Sequence, residues 1–323
     1  GSPARQRWKS WAPAVAALAL VLLIIWWPWP GGKKMVVHFI DVGQGDSILV
    51  QTPGGKNMLI DTGGRREEFQ TGTGTGDQVV APYLRKIGVN RLDALVLTHP
   101  HEDHCGGAAY LVDNFPVDLA VVSPAGGGGV PALIDQPAGG VANGTKKTGE
   151  EVPPAYTALL KKMSAGEVLV QAAGAGDILR LDPELSIEVL WPEEDWSIGG
   201  AEFNNASLVL RLTYGHSSFI FTGDIELEAQ QKMFLSGEEL ESDVFKLPHH
   251  GSRSLLPELV DKVNPSIAVI TVGAHNTFGH PAPSTVDLLY QEGATIYRTD
   301  QDGAVIMETD GNKIEVKTGK KSS

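Results

Sequence analysis

A single cysteine, Cys105, stands in 323 residues, so no internal disulfide is open to this chain and its stability rests on packing. Basic residues are the minority charge. The 26 Lys and Arg against 39 Asp and Glu leave a net charge of −13, which excludes a broad electrostatic grip on nucleic acid. An anionic substrate then needs bound cations or a local basic patch. Glycine at 38 and proline at 20 stay below the level of a low-complexity chain, while 42% hydrophobic and 20% charged residues exclude disorder and collagen. The length allows one large or two ordinary domains with a substantial core.

Residues 1–34 read differently from the rest. Arg5, Arg7 and Lys9 precede an uncharged stretch from Ala12 to Trp27 that ends among Trp26, Trp27 and Trp29. A single transmembrane helix is expected there, at the short end of a bilayer span, with the tryptophans at headgroup level. The basic residues before it put the chain after Pro30 on the extracytoplasmic face of the cell membrane. Gly1-Ser2 in place of an initiator methionine resembles a tag-cleavage scar, so the chain is expected to begin at the last membrane helix of something larger.

From residue 35 to 323 strand and helix patterns alternate with no dividing linker, which predicts one α/β domain. Met35 to Ile40, Ser47 to Gln51 and Asn57 to Ile60 are short β-prone runs split by Gly-rich turn signals. Gln78 to Ile87 carries helical spacing and ends at Gly88, before the buried-type strand Leu92 to Leu97. Later strands are expected at Val117 to Val122, Ser186 to Leu190, Ser207 to Thr213, Ser217 to Thr222, Val244 to Leu247 and Ile267 to Val272. Helices are expected at Tyr156 to Met163, Leu227 to Leu235, Leu255 to Val263 and Ser284 to Gln291. Residues 123–154, rich in Gly, Pro, Ala and Thr, read as a surface insertion. Two mixed sheets packed face to face between helical layers bury such runs.

Chemistry concentrates where strands stop. His99-Pro100-His101-Glu102-Asp103-His104 follows an apolar strand and places imidazole and carboxylate donors suited to zinc or manganese within six residues. Alternate positions of an extended loop point to opposite sides, so two ions can be served. Asp224 follows the strand ending at Thr222, and His249-His250-Gly251-Ser252 follows the strand ending at Leu247. A carboxylate at such a place can bridge two cations, and an imidazole can complete a shell. His280 reads as a ligand, a substrate contact or a surface residue. His38 and His216 read as structural, and Cys105 as a packing residue.

These motifs carry a resemblance. Leu59-Ile60-Asp61-Thr62-Gly63, the His99 to His104 signature, Thr222-Gly223-Asp224 and the later histidines resemble the metallo-β-lactamase fold superfamily. Phe39 to Ser47, Asn204 to Leu210 and Leu247 to Ser252 are similar to the C-terminal domain of the ComEC family of DNA-uptake channel proteins. The resemblance implies a four-layer αββα sandwich, a site for two divalent ions, and nuclease action on incoming DNA, single- or double-stranded, outside the membrane. It also implies a membrane channel portion in the parent protein.

One departure from the superfamily pattern has a consequence for the metal. No histidine lies between His104 and His216, and the segment where a further ligand is expected offers Asn204 and Asn205. An amide oxygen is a harder, weaker donor than imidazole, so a shell of His99, His101, Asp224 and Asn205 favours Mn²⁺ over tight Zn²⁺. Asp103, His104 and His250 are assigned to the second ion, with Asp224 shared. Asp103, His249 and His280 are the expected catalytic residues, the last two through phosphate contact or leaving-group protonation; which of the paired histidines is the ligand stays open. Asp61 is expected to orient a ligand histidine from behind. Asp41 and Asp46 read as turn carboxylates. Ser252 and Arg253 are candidate substrate contacts, as are Arg65, Arg66, Lys146 and Lys147. Two other function classes fit: a hydrolase of small esters, such as phosphorylcholine esters or lactam-like substrates, and a non-catalytic module that guides DNA.

Overall fold

Successive side chains of a strand point to opposite sides of a sheet, and in the central strands both sides are apolar. In the strand Leu92–Leu97, Ala94 and Val96 enter one hydrophobic core while Leu95 and Leu97 enter another. Phe219 and Phe221 of the strand Ser217–Phe221 join the same core as Ala94 and Val96, while Ile220 between them points into a third. Strands buried on both faces require a layer on each, so the pattern dictates a sheet-on-sheet centre with helices outside.

The computed structural model describes residues 33–124, 152–166, 168–193 and 203–320. From Lys34 onward these belong to one compact unit. The first sheet contains β1 (Met35–Phe39), β2 (Ile48–Gln51), β3 (Asn57–Ile60), β4 (Leu92–Leu97), β5 (Val117–Val122) and β6 (Leu169–Ala172). The second contains β7 (Ser186–Trp191), β8 (Val209–Tyr214), β9 (Ser217–Phe221), β10 (Val244–Lys246), β11 (Ile267–Ile270) and β12 (Thr295–Arg298). Finally β13 (Val305–Thr309) and β14 (Ile314–Thr318) return to the first sheet, whose order is β14-β13-β1-β2-β3-β4-β5-β6; the second runs β12-β11-β10-β9-β8-β7. One core lies between the sheets, and the other two lie under helices: Ala81–Lys86, Ala108–Asn114 and Pro154–Ala165 on one side, Leu227–Leu235, Pro257–Val263 and Pro283–Gln291 on the other.

The expected membrane helix at 12–27 and residues 125–151 of the expected insertion, with Lys146 and Lys147, lie outside the described residues. Among the described residues no helix is long and apolar enough to cross a membrane. The helix expected over Gln78 to Ile87 is two pieces, a π-helical turn Gly76–Val80 and an α-helix Ala81–Lys86. The edge strand Leu169–Ala172 went unforeseen because most of it is exposed and carries no apolar alternation.

Parallel pairing positions the site. β3 runs parallel to β4, and β9, β10 and β11 are mutually parallel neighbours, so their C-terminal ends gather at one edge of the sandwich. Two glycines let loops press onto the motif after β4. A Cβ on Gly45 would stand 2.1 Å from the Asp103 carbonyl oxygen, and one on Gly64 would stand 1.7 Å from that of Glu102. Only glycine permits such approach of backbone to backbone.

Candidate metal centre

Asp61 leaves the end of β3, His99 to His104 leave β4, Asp224 leaves β9, and His249-His250 leave β10. His101 is extended (φ −73°, ψ 149°) at the start of the short helix Glu102–Cys105, which carries Asp103 and His104 on its turn. The ligand atoms of Asp103, His104, Asp224 and His250 all lie within 4.8 Å of one another. Asp224 Oδ2 is central, 3.2 Å from His104 Nε2 and 3.3 Å from His250 Nε2, and Asp103 Oδ2 is 3.4 Å from His250 Nε2.

The far side of each imidazole is fixed. His104 Nδ1 donates to Asp61 Oδ2 at 2.7 Å and His250 Nδ1 donates to the Thr271 carbonyl at 2.9 Å. A proton held at Nδ1 leaves Nε2 as the lone-pair nitrogen when the ring is neutral. Those two Nε2 atoms, with Asp224 Oδ1, are buried without a hydrogen-bond partner. Orphaned donors of this kind need an explanation, and two imidazoles with two carboxylates are a donor set that fits a divalent cation. The backbone is strained to deliver them. Asp61, His249 and His250 have φ of 57°, 47° and 55°, in the left-handed region that side chains rarely adopt, at about 1–3 kcal/mol each.

A second, poorer donor group lies beside the first. His99 Nε2 and His101 Nδ1 converge to 3.1 Å, and His99 Nδ1 rests between Thr98 Oγ1 at 3.1 Å and Ser207 Oγ at 3.2 Å. The third donor expected here is otherwise engaged. Asn205 Oδ1 accepts the Glu226 N–H at 2.8 Å and its carbonyl accepts the Trp191 indole N–H at 2.6 Å, so this residue braces the backbone around Asp224. Of the donors expected on this side, His99 and His101 lie side by side, while the Asn205 amide oxygen accepts a backbone N–H.

The remaining candidates form the rim. His249 Nδ1 is 3.2 Å from Glu226 Oε1 and its Nε2 is 3.9 Å from Asp224 Oδ2, and its ring centroid lies 5.4 Å from that of half-buried His280. Ser252 is buried and its hydroxyl accepts the Ser254 N–H at 3.3 Å, while Arg253 is exposed. Arg65 is exposed and donates to Gln78 Oε1 at 2.9 Å, and Arg66 is exposed. Cys105 is fully buried, its thiol donating to the carbonyls of His99 and His101 at 3.0 and 3.2 Å, and burial with the nearby carboxylates pushes its pKa well up. It packs and braces the motif as a thiol. His38 is structural, bonded to Tyr83 and Gln51.

Asp46 and Lys246 went unrecognised as parts of this site. Fully buried Lys246 pairs with the Asp46 carboxylate, donates to the Gly223 carbonyl at 2.9 Å, and lies 3.8 Å from Asp224 Oδ1. Asp46 also accepts the Thr271 hydroxyl and lies 3.5 Å from His250 Nδ1. The available signal was a lysine inside the apolar run Val244 to Leu247, where both faces of the strand are buried.

Residues 40–275 match the model of the metallo-beta-lactamase superfamily. The chain belongs to that superfamily. It is 32% identical over 278 residues to ComE operon protein 3 of Bacillus subtilis, covering 83% of this chain and 32% of that protein. Competence protein ComA of Neisseria gonorrhoeae is 29% identical over 275 residues, covering 84% of this chain and 32% of the relative. The chain therefore spans about a third of the length of these curated relatives. Among solved structures, a subclass B3 metallo-beta-lactamase from a soil metagenome library is 16% identical, with 68% of this chain and 77% of that chain covered at a TM-score of 0.42.

Carboxylates outnumber lysines in this superfamily site, and His104 and His250 supply part of the balance. Asp46, Asp61, Asp103 and Asp224 face one buried lysine. Burial alone raises a carboxyl and lowers an imidazole. Burial opposes the charged form of Asp224, yet His104 and His250 outweigh it and hold its pKa well below the usual range. Burial also opposes the imidazolium at His104 and His250, and Asp224 chiefly reverses this, raising both well above 6.5. For Asp103 the balance ends at about 2. His99 goes the other way, lowered by burial and by His104.

The sign of the pH dependence follows. Without metal, burial opposes the imidazolium at His104 and His250, and the carboxylates around them, Asp224 first, favour it and raise both pKa values. A cation can bind only the deprotonated rings. Metal binding is therefore expected to release protons from these rings, and affinity to rise with pH. Calorimetry in buffers of different ionisation enthalpy reads the release; binding at pH 7 with no proton released contradicts it.

Proposed function

We propose that this chain is a metal-dependent phosphodiesterase, acting as a deoxyribonuclease of exonuclease type on incoming DNA during natural transformation. On this reading residues 35–323 are the enzyme domain of a membrane DNA-uptake channel protein, anchored through the stretch at 12–27 with the domain on the extracytoplasmic face. The observation that carries the proposal is the buried convergence of Asp103, His104, Asp224 and His250, with the Nε2 atoms of both histidines left without partners. The names of the relatives, ComE operon protein 3 and competence protein ComA, support the place in DNA uptake.

Two divalent ions, when bound by these residues with His99 and His101, supply positive charge for the phosphate and a water of lowered pKa. The chain's own residues do the rest. Asp61 and Thr271 hold the Nδ1 protons of His104 and His250 and so aim both Nε2 atoms into the cleft. Glu226 stands at His249 Nδ1, which turns His249 Nε2 toward Asp224 and the cleft. From there His249 and His280 contact the phosphate or protonate the leaving oxygen, a role for imidazole in general acid catalysis.

The shell of His99, His101 and Asp224 has lost an imidazole without gaining Asn205, so Mn²⁺ is expected to support activity better than Zn²⁺. Incubating metal-stripped full chain with labelled single- and double-stranded DNA, adding Mn²⁺, Zn²⁺ or chelator, tests both statements. Hydrolysis is expected with Mn²⁺ and none with chelator. Full turnover with Zn²⁺ and none with Mn²⁺ overturns the metal preference. Hydrolysis of small phosphoesters with no DNA cleaved under any metal overturns the nuclease reading.

A further inference from the structure

The rim of the metal centre presents an aromatic ring to solvent. Phe278 is 67% exposed, within the segment that joins β11 to the helix Pro283–Gln291 and also carries His280. An exposed phenylalanine is ordinary by itself. This one is mounted on a braced frame. Asn276 Nδ2 donates to the carbonyls of Gly273 and His280 at 3.0 and 2.6 Å, and Asn276 Oδ1 accepts the N–H groups of Phe278 and His280 at 3.2 and 3.1 Å. Both ends of the segment are clamped by close approach. A Cβ on Gly273 would meet Gln44 N at 2.7 Å, and one on Gly251 would meet Pro281 Cβ at 2.8 Å. The frame thus holds the ring outward.

From that ring an aromatic track leads inward. The Phe278 and His280 rings are stacked at 6.0 Å with 29° between planes; His280 lies 5.4 Å from His249 and 6.4 Å from His250, a member of the metal-ligand cluster. Phosphate contacts are scarce on a chain of net charge −13, whereas a stacking surface grips a strand without charge. Every base offers a π-face, so an aromatic platform binds strands with little regard to sequence.

We infer that Phe278 is a stacking platform for an unpaired nucleobase next to the phosphodiester held at the metal centre, which makes single-stranded DNA the preferred substrate. This inference rests on the nuclease reading above. An unpaired base is required because a base inside a duplex has both faces covered by its neighbours.

The test compares single-stranded oligonucleotides with natural bases against strands of the same length carrying abasic tetrahydrofuran sugars, using the full chain with Mn²⁺. The wild type is expected to favour the base-bearing strand by roughly tenfold in KM. Phe278→Ala is expected to lose that preference and Phe278→Trp to keep it. Because stacking is uncharged, the preference should persist as salt is raised. Preference retained by Phe278→Ala, or no preference in the wild type, overturns the inference. A second readout is the quenching of a 2-aminopurine base on rapid mixing, expected in the wild type and absent in Phe278→Ala. Quenching that depends on Phe278 with no strand cleaved removes the nuclease reading and leaves the platform standing.

Discussion

Asp224→Ala is expected to abolish hydrolysis and to weaken metal binding by more than about 100-fold, the upper end of what is lost when only an outer partner of a ligand is removed. The reason is its central place. Its carboxylate reaches His104 Nε2 at 3.2 Å, His250 Nε2 at 3.3 Å and His249 Nε2 at 3.9 Å, so the donors from both sheets meet through it. Its loss also removes the charge that chiefly raises His104 and His250. The Asp224→Asn variant keeps the shape and separates charge from geometry, and it is expected to lose metal nearly as severely. Metal content after dialysis and turnover on labelled DNA are the measurements; an Asp224→Ala protein that folds, binds DNA and hydrolyses it at the wild-type rate moves the chemistry elsewhere.

Lys246→Met is expected to destabilise the protein by about 3–5 kcal/mol, because it strands the buried Asp46 carboxylate without its partner. This pair joins the two sheets at the floor of the site, Asp46 coming from the loop between β1 and β2 and Lys246 from the end of β10. Burial pushes the Asp46 carboxyl up, and Lys246 together with His250 and His104 outweighs that, holding its pKa well below the usual range. A thermal midpoint lowered by roughly 10 °C in chelator is the expected reading for a chain of this size. Combining Lys246→Met with Asp46→Asn removes both charges and is expected to recover most of that loss, since a neutral replacement of a buried pair is close to neutral in stability. Metal affinity should stay reduced in the double variant, because Lys246 also holds the Gly223 carbonyl behind Asp224 and Asp46 backs His250 and Thr271. A single variant as stable as the wild type contradicts this account of the floor.

Strand positions were readable because both faces of the central strands are apolar and turns are marked by glycine. The runs at Leu92–Leu97 and Val117–Val122 appear with the expected bounds. The convergence of Asp103, His104, Asp224 and His250 was readable because each follows a strand, and parallel pairing brings strand ends together. Asp46 read as a turn carboxylate because Gly43-Gln44-Gly45 before it gives a turn signal whether or not the carboxylate points inward. Its burial depends on Lys246, which is 200 positions away in sequence and meets it only across the sheets. Asn205 was taken for a ligand by its place in the chain, and no local pattern reveals that its amide oxygen holds the Glu226 N–H. Spacing places donors near one another, but hydrogen bonds made across the fold decide which of them face the cation.

Anomalous diffraction from crystals of the full chain grown with Mn²⁺ tests the central claim most directly. The account predicts a manganese peak enclosed by Asp103, His104, Asp224 and His250, with a second, weaker peak beside His99 and His101. Side chains arranged as described around no peak, or a metal bound away from Asp224, would contradict it.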